Sequence, residues 1–129
     1  MLAAMDVQLF GLAKSQATRK AQRFFSERRV TVHFVDCGTK PPSPGELRRW
    51  VQKFGASGCL DPESKSYQNQ GLRYVSAGDD DWIRRMVADP SILRLPLGRC
   101  GNDLTVGDDS EGWTRLAEAA RRRSSSRRR

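Results

Sequence analysis

The residues best placed for chemistry are Lys14-Ser15, followed after three positions by Arg19-Lys20-Ala21. They come just after a short apolar stretch, Val7–Phe10, where a helical pattern begins. A serine at a helix start caps it, because its hydroxyl accepts from a first-turn amide. The same position sits at the positive end of the helix dipole. With Lys14 and Arg19 beside it, the capping group could also touch a small anion or a carboxylate. A third role, nucleophile, requires an adjacent general base. The single histidine, His33, lies in a different element, and the spacing supplies no carboxylate to complete a triad.

The other reactive types are less suggestive. Cys37, Cys59 and Cys100 are too widely spaced for a zinc ligand set and too few for an even disulfide framework. None stands at a helix N-terminus with a basic neighbour of the kind that lowers a thiol pKa. Arg99 adjoins Cys100, but adjacent strand residues face opposite sides. Buried thiols are the expectation. Asp79-Asp80-Asp81 opens a helical pattern, where three carboxylates suit the dipole. As metal ligands they have no partners elsewhere, so no metal site is expected.

These residues need elements to hold them. Val7–Phe10 reads as a strand and 15–28 as a helix whose buried face is Ala17, Ala21, Phe24 and Phe25. Val30–Val35 is a second strand, with Val30, Val32 and Phe34 on one face. Ser43, Pro44 and Glu46 form a capping box with proline at the first helical position. That helix buries Leu47, Trp50, Val51 and Phe54 and stops at Gly55. Residues 59–90 read as shorter helices, including 62–70 and one opened by the aspartates. Residues 93–100 form a strand, Gly101-Asn102 a hairpin turn and Leu104–Val106 the return. A last helix opens at Asp109 or Ser110. The order is β-α-β-α, a helical insert, then β-β-α, an α/β arrangement.

Composition bounds the rest. At 129 residues the chain is expected to be one domain over 1–120, with an Arg/Ser-rich disordered tail over 121–129. The net charge of +8 is concentrated in that tail, which holds 6 of the 23 basic residues; the remainder is only +2. The tail is therefore the expected source of any weak, nonspecific nucleic-acid contact. No run of about 18 apolar residues is present and the first residues do not form a signal peptide, so a cytoplasmic protein with no membrane contact is expected.

Over roughly residues 6–118 the chain resembles the bacterial-type arsenate reductase/Spx family. Four segments carry the resemblance. Ser15-x-x-x-Arg19-Lys20-Ala21 is similar to the family's Cys-x-x-x-Arg-Lys-Ala. Pro42-Ser43-Pro44-Gly45-Glu46-Leu47 is similar to its proline-rich lead-in to the second helix. Tyr67-Gln68-Asn69-Gln70-Gly71-Leu72 is similar to its Tyr-x-x-Leu-Gly-Leu. Ile92–Leu97 with Thr105-Val106-Gly107 is similar to its Leu-x-Arg-Pro-Ile strand and Val-Gly return. The resemblance implies a thioredoxin-like (glutaredoxin-like) fold with a helical insert. It also implies a cis peptide bond before Pro96, facing the Ser15 site. The candidate ligand-contacting residues are Lys14 and Arg19 beside the helix start, with Pro96 and Arg94.

The departures from the family fall on its chemistry. The family's reductases attack arsenate with a thiolate at the position of Ser15 and resolve the adduct with glutathione or glutaredoxin. A hydroxyl is a far weaker acid and cannot form a mixed disulfide. The family arginine four residues before the insert's aromatic is Glu63 here, and the one directly before the cis proline is Leu95; Arg94 is one residue early, which on a strand points it to the opposite face. The expectation is therefore a pseudoenzyme for arsenate. It would act as a binding or regulatory module with a protein partner or a small anion or thiol, as Spx acts through contacts with RNA polymerase. The Cys-x-x-Cys switch of Spx is absent. The alternative is a thiol-dependent oxidoreductase, linked to glutathione or glutaredoxin, with an unusual site.

Overall fold

The structure, a computed structural model, describes residues 6–127. The chain divides into two compact units: residues up to Asp36 together with those from Leu95 onward, and Cys37–Arg94. The second unit is the helical insert enlarged by the capping-box helix.

The first unit is a four-stranded sheet in the order β2-β1-β3-β4. β1 (Val7–Gly11) pairs in parallel with β2 (Val32–Asp36), Leu9 opposite Phe34. On its other side β1 pairs antiparallel with β3 (Leu97–Cys100), which turns at Gly101-Asn102 into β4 (Asp103–Val106). Gly101 has φ 62°, a left-handed conformation that suits glycine in such a turn. Helices α1 (Gln16–Glu27) and α6 (Ser110–Arg127) build the core with the sheet. Val7, Leu9, Ala21, Phe25, Trp113 and Leu116 are buried together, with Phe24, Val30, Val32 and Phe34 packed against them. The expected alternation in β2 is thus present. Burying side chains of this size contributes about 1.5–3 kcal/mol each.

Two strand and tail expectations change. β3 begins at Leu97, not at 93; Leu93 instead makes an isolated antiparallel bridge with Leu60. α6 continues through Arg127, seven residues into the stretch that composition marks as a disordered tail. Arginine is a good helix former, and extending a helix already nucleated on a core avoids the nucleation cost. Arg128 and Arg129 lie outside the described residues.

In the second unit α2 (Pro44–Phe54) has the predicted capping box. Ser43 Oγ accepts from Glu46 N at 3.2 Å, and Ser43 N donates to Glu46 Oε1 at 2.9 Å. α3 (Ala56–Cys59), α4 (Lys65–Asn69) and α5 (Asp79–Ala88) follow, with 3-10 turns at Leu72–Tyr74 and Pro90–Ile92. The helix expected over 62–70 is only five residues long, because Ser64 caps it and accepts from Tyr67 N. Leu47, Trp50, Leu72, Ile83, Met86 and Ile92 are fully buried. The ends of residues 61–92 are tied: Asp61 N donates to Ile92 O (2.9 Å) and Arg94 N to Cys59 O (2.7 Å). Among the described residues no helix is long and apolar enough to cross a membrane.

Candidate functional site

Ser15 is the N-cap of α1, extended at φ −77° and ψ 122°, as its position predicts. Its Oγ accepts from Thr18 N at 3.2 Å, and its own N–H donates to Leu12 O at 2.9 Å, which closes the turn out of β1. The turn is tight because of Gly11. A Cβ there would come within 2.5 Å of Thr18 Cγ2 and Oγ1, so the end of β1 and the first turn of α1 meet without a side chain between them. Thr18 is fully buried, and its Oγ1 has no hydrogen-bond partner among the described residues. Sequence reasoning missed this residue; the Gly in Phe10-Gly11-Leu12 was the available signal of a close approach.

Arg19 Nη1 donates to Ala13 O at 3.0 Å, which folds the guanidinium back along the turn. Lys14 is exposed. Lys20 reaches Asp108 after β4 at 3.1 Å, a surface pair worth about 0–1 kcal/mol. The first turn of α1 carries no acidic residue, so no carboxylate of its own compensates the dipole there. The bond between Leu95 and Pro96 is cis, as the resemblance implies. Phe10 registers with Leu97, so Gly11 and Pro96 lie at the same end of the sheet, and the Ser15 turn leaves from there.

Arg94 belongs to the second unit. Its guanidinium donates to Leu60 O through Nε (3.3 Å) and Nη2 (3.2 Å), so the side chain has a structural partner. Because β3 starts at Leu97, strand alternation does not set its direction. Glu63 is exposed and lines a cleft of about 540 Å³ with Tyr67, Gln68, Arg73 and Tyr74. Arg73 lies over the Tyr74 ring at 5.3 Å, and that ring is 82% exposed. Neither residue stood out in the sequence, where both lie beyond the helix expected over 62–70.

All three cysteines are buried thiols. Burial pushes the Cys59 thiol up to about 11, against the lowering effect of the Arg94 charge. His33 is exposed in the middle of β2, opposite Gln8. The aspartates do open α5: Asp80 pairs with Arg48 at 2.7 Å and Asp81 with Arg84 at 2.9 Å. At its other end Asp89 accepts from Ser91 N and Oγ and from Gln70 Nε2. Burial raises the Asp89 pKa, but the bonds from Ser91, Gln70 and Ser66 outweigh it and hold the carboxyl below its ordinary value.

A parallel β-α-β start, a cis proline at the sheet end and a helix capped at that end define a thioredoxin-like protein. The ArsC family matches residues 10–116, and the chain belongs to that family. Solved structures agree in fold. An arsenate reductase from Vibrio cholerae superposes with a TM-score of 0.76 at 18% identity, covering 87% of this chain and 98% of that one. A protein from Bacteroides fragilis related to the ArsC family gives 0.78 at 17%, covering 88% and 98%. An arsenate reductase related protein from Brucella melitensis gives 0.65 at 17%, covering 85% and 92%. Among curated proteins there is no significant match.

Proposed function

We propose that this ArsC-family chain uses the thioredoxin-like fold for binding rather than for thiol chemistry on arsenate. One observation carries the reading: the start of α1 holds a hydroxyl engaged as a cap, while every thiol of the chain is buried. Reduction of arsenate by this fold needs an accessible thiolate, and burial disfavours the anion. At the position where the family resemblance implies a cationic arginine, the chain carries Glu63. What remains at the α1 start is a set of first-turn amides with Lys14 and Arg19, suited to a carboxylate or small anion of a cytoplasmic protein or small-molecule partner.

The test is arsenate-dependent oxidation of glutathione in the presence of glutaredoxin, with native-state labelling of the thiols. The wild-type chain is expected to give background turnover, and its cysteines to react with iodoacetamide only on unfolding. Turnover that survives Ser15→Ala and disappears when Cys37, Cys59 and Cys100 are replaced would overturn the reading in favour of a thiol-dependent oxidoreductase.

A further inference from the structure

At the end of the sheet away from Ser15, five exposed arginines gather: Arg23 and Arg28 of the α1 end, Arg29 in the turn to β2, and Arg121 and Arg122 of α6. The two helices meet there, since Arg121 Nη2 donates to Arg28 O at 3.2 Å. Among the described residues none of the five guanidiniums is in an ion pair. In the second unit, by contrast, Arg48, Arg84 and Arg85 all pair with Asp80 or Asp81. The acids nearest in sequence are Asp6, Glu27 and Glu118, and the chain continues with Arg123 and Arg127–Arg129. With Asp103, which the β3–β4 hairpin brings to the same end of the sheet, nine arginines against four acids leave +5 of the chain's +8. The dipole of α1 rewards one or two cations near its end, not this many.

Two arginines are held in ways that cost or fix conformation. Arg28 Nη1 donates to Phe24 O at 3.1 Å, with the guanidinium 3.6 Å over the Phe24 ring, so it is pre-positioned. Arg29 has φ 57°, the left-handed conformation. It closes α1 in a Schellman turn, with Val30 N bonded to Phe25 O and Arg29 N to Ser26 O. Glycine fills this position without strain; an arginine here is unfavourable by local structure alone. Beside it is a cleft of about 350 Å³ lined by Gln22, Ser26, Arg29, Val30, Thr31 and Val32.

We infer that this surface binds a nucleic acid through its phosphates, with the folded body and the α6 extension acting together. Guanidinium forks match phosphodiester oxygens, and unpaired cations release counterions from a polyanion. The Phe24 ring lies under Arg28, so it offers no stacking face and the contact is sequence-independent. A lipid surface fits less well, because the sequence after Ala120 has only arginine and serine and supplies no apolar face to insert. This end is remote from the Ser15 turn, so its occupation does not depend on the redox reading.

The experiment is fluorescence anisotropy of the full chain with a labelled 20-base-pair duplex and a 20-nucleotide RNA of mixed sequence, across a salt series, with phosphatidylserine vesicles in parallel. The expected result is binding to both probes irrespective of sequence, with log K falling linearly in log salt. Arg29→Gly and Arg122→Ala should each weaken binding several-fold and lower the salt slope by about one. Arg29→Gly should at the same time keep or raise Tm, which a purely structural arginine would not allow alongside lost binding. Three results would overturn the inference: no duplex or RNA binding at low salt; vesicle binding without nucleic-acid binding; or unchanged affinity in Arg29→Gly while deletion of 121–129 abolishes binding, which would leave the tail alone responsible.

Discussion

The starts of α1 and α5 solve the same electrostatic problem in opposite ways. α5 begins at Gly78 with no side-chain cap and places Asp79, Asp80 and Asp81 in its first turn. α1 begins at Ser15 with a hydroxyl cap, no acid in its first turn, and Lys14 and Arg19 alongside. Carboxylates compensate the dipole of α5 and also tie arginines to it. The first turn of α1 has no such carboxylate and is capped through Thr18 N by the Ser15 hydroxyl. A helix built solely for stability resembles α5; the α1 start keeps its positive end available, which suits a place for binding.

The sharpest way to break the comparison is at the glycines. Gly11→Val should cost about 3 kcal/mol or more in chemical denaturation, because the buried Thr18 leaves no room for a side chain. Gly78→Ala meets nothing within 4 Å and should cost at most about 1 kcal/mol, for the weaker cap. Equal effects would mean that α1 is not seated on β1 as described.

Next come the caps themselves. Ser15→Ala should lower stability by about 1 kcal/mol, and Gly78→Ser, at φ −81° and ψ 171°, should raise it by about 0.5 kcal/mol by supplying the missing acceptor. Thermal unfolding of the two variants checks both signs. The smallest effect concerns the far end of α5. The folded-state pKa of Asp89 is depressed, so its contribution is present above the ordinary value of 3.8 and is lost as pH falls through the lower folded value. The stability difference between wild type and Asp89→Asn, measured by urea denaturation from pH 6 to pH 3, should shrink toward the acid end. A difference that grows there would reverse the assignment.

Much of the α1 start was legible in the sequence because its determinants are local. Ser15 precedes the apolar period it caps, the Ser43–Glu46 box spans three residues, and Gly101-Asn102 separates two short β runs. The aspartate triplet was legible for the same reason. What escaped depends on neighbours distant in sequence or on backbone geometry without a signature. Thr18 matters through Gly11, and Lys20 finds Asp108 across 88 positions. Arg29 takes a conformation its residue type disfavours. The division at Asp36 and Leu95 reflects contact density, which composition does not report. A strand from 93 would turn Arg94 to the face opposite Leu95; β3 starts at Leu97, and the Arg94 guanidinium is held by the Leu60 carbonyl.

The paired rungs joining Cys59–Asp61 to Ile92–Arg94 have a consequence for how such a chain can vary. Residues 61–92 leave and return at nearly one point, so their length and content are topologically uncoupled from the order of the strands. A segment closed at its base can be shortened, lengthened or exchanged without rethreading the sheet. Leu72, Ile83, Met86 and Ile92 are fully buried, so additions at that doorway disturb the second unit less than removals.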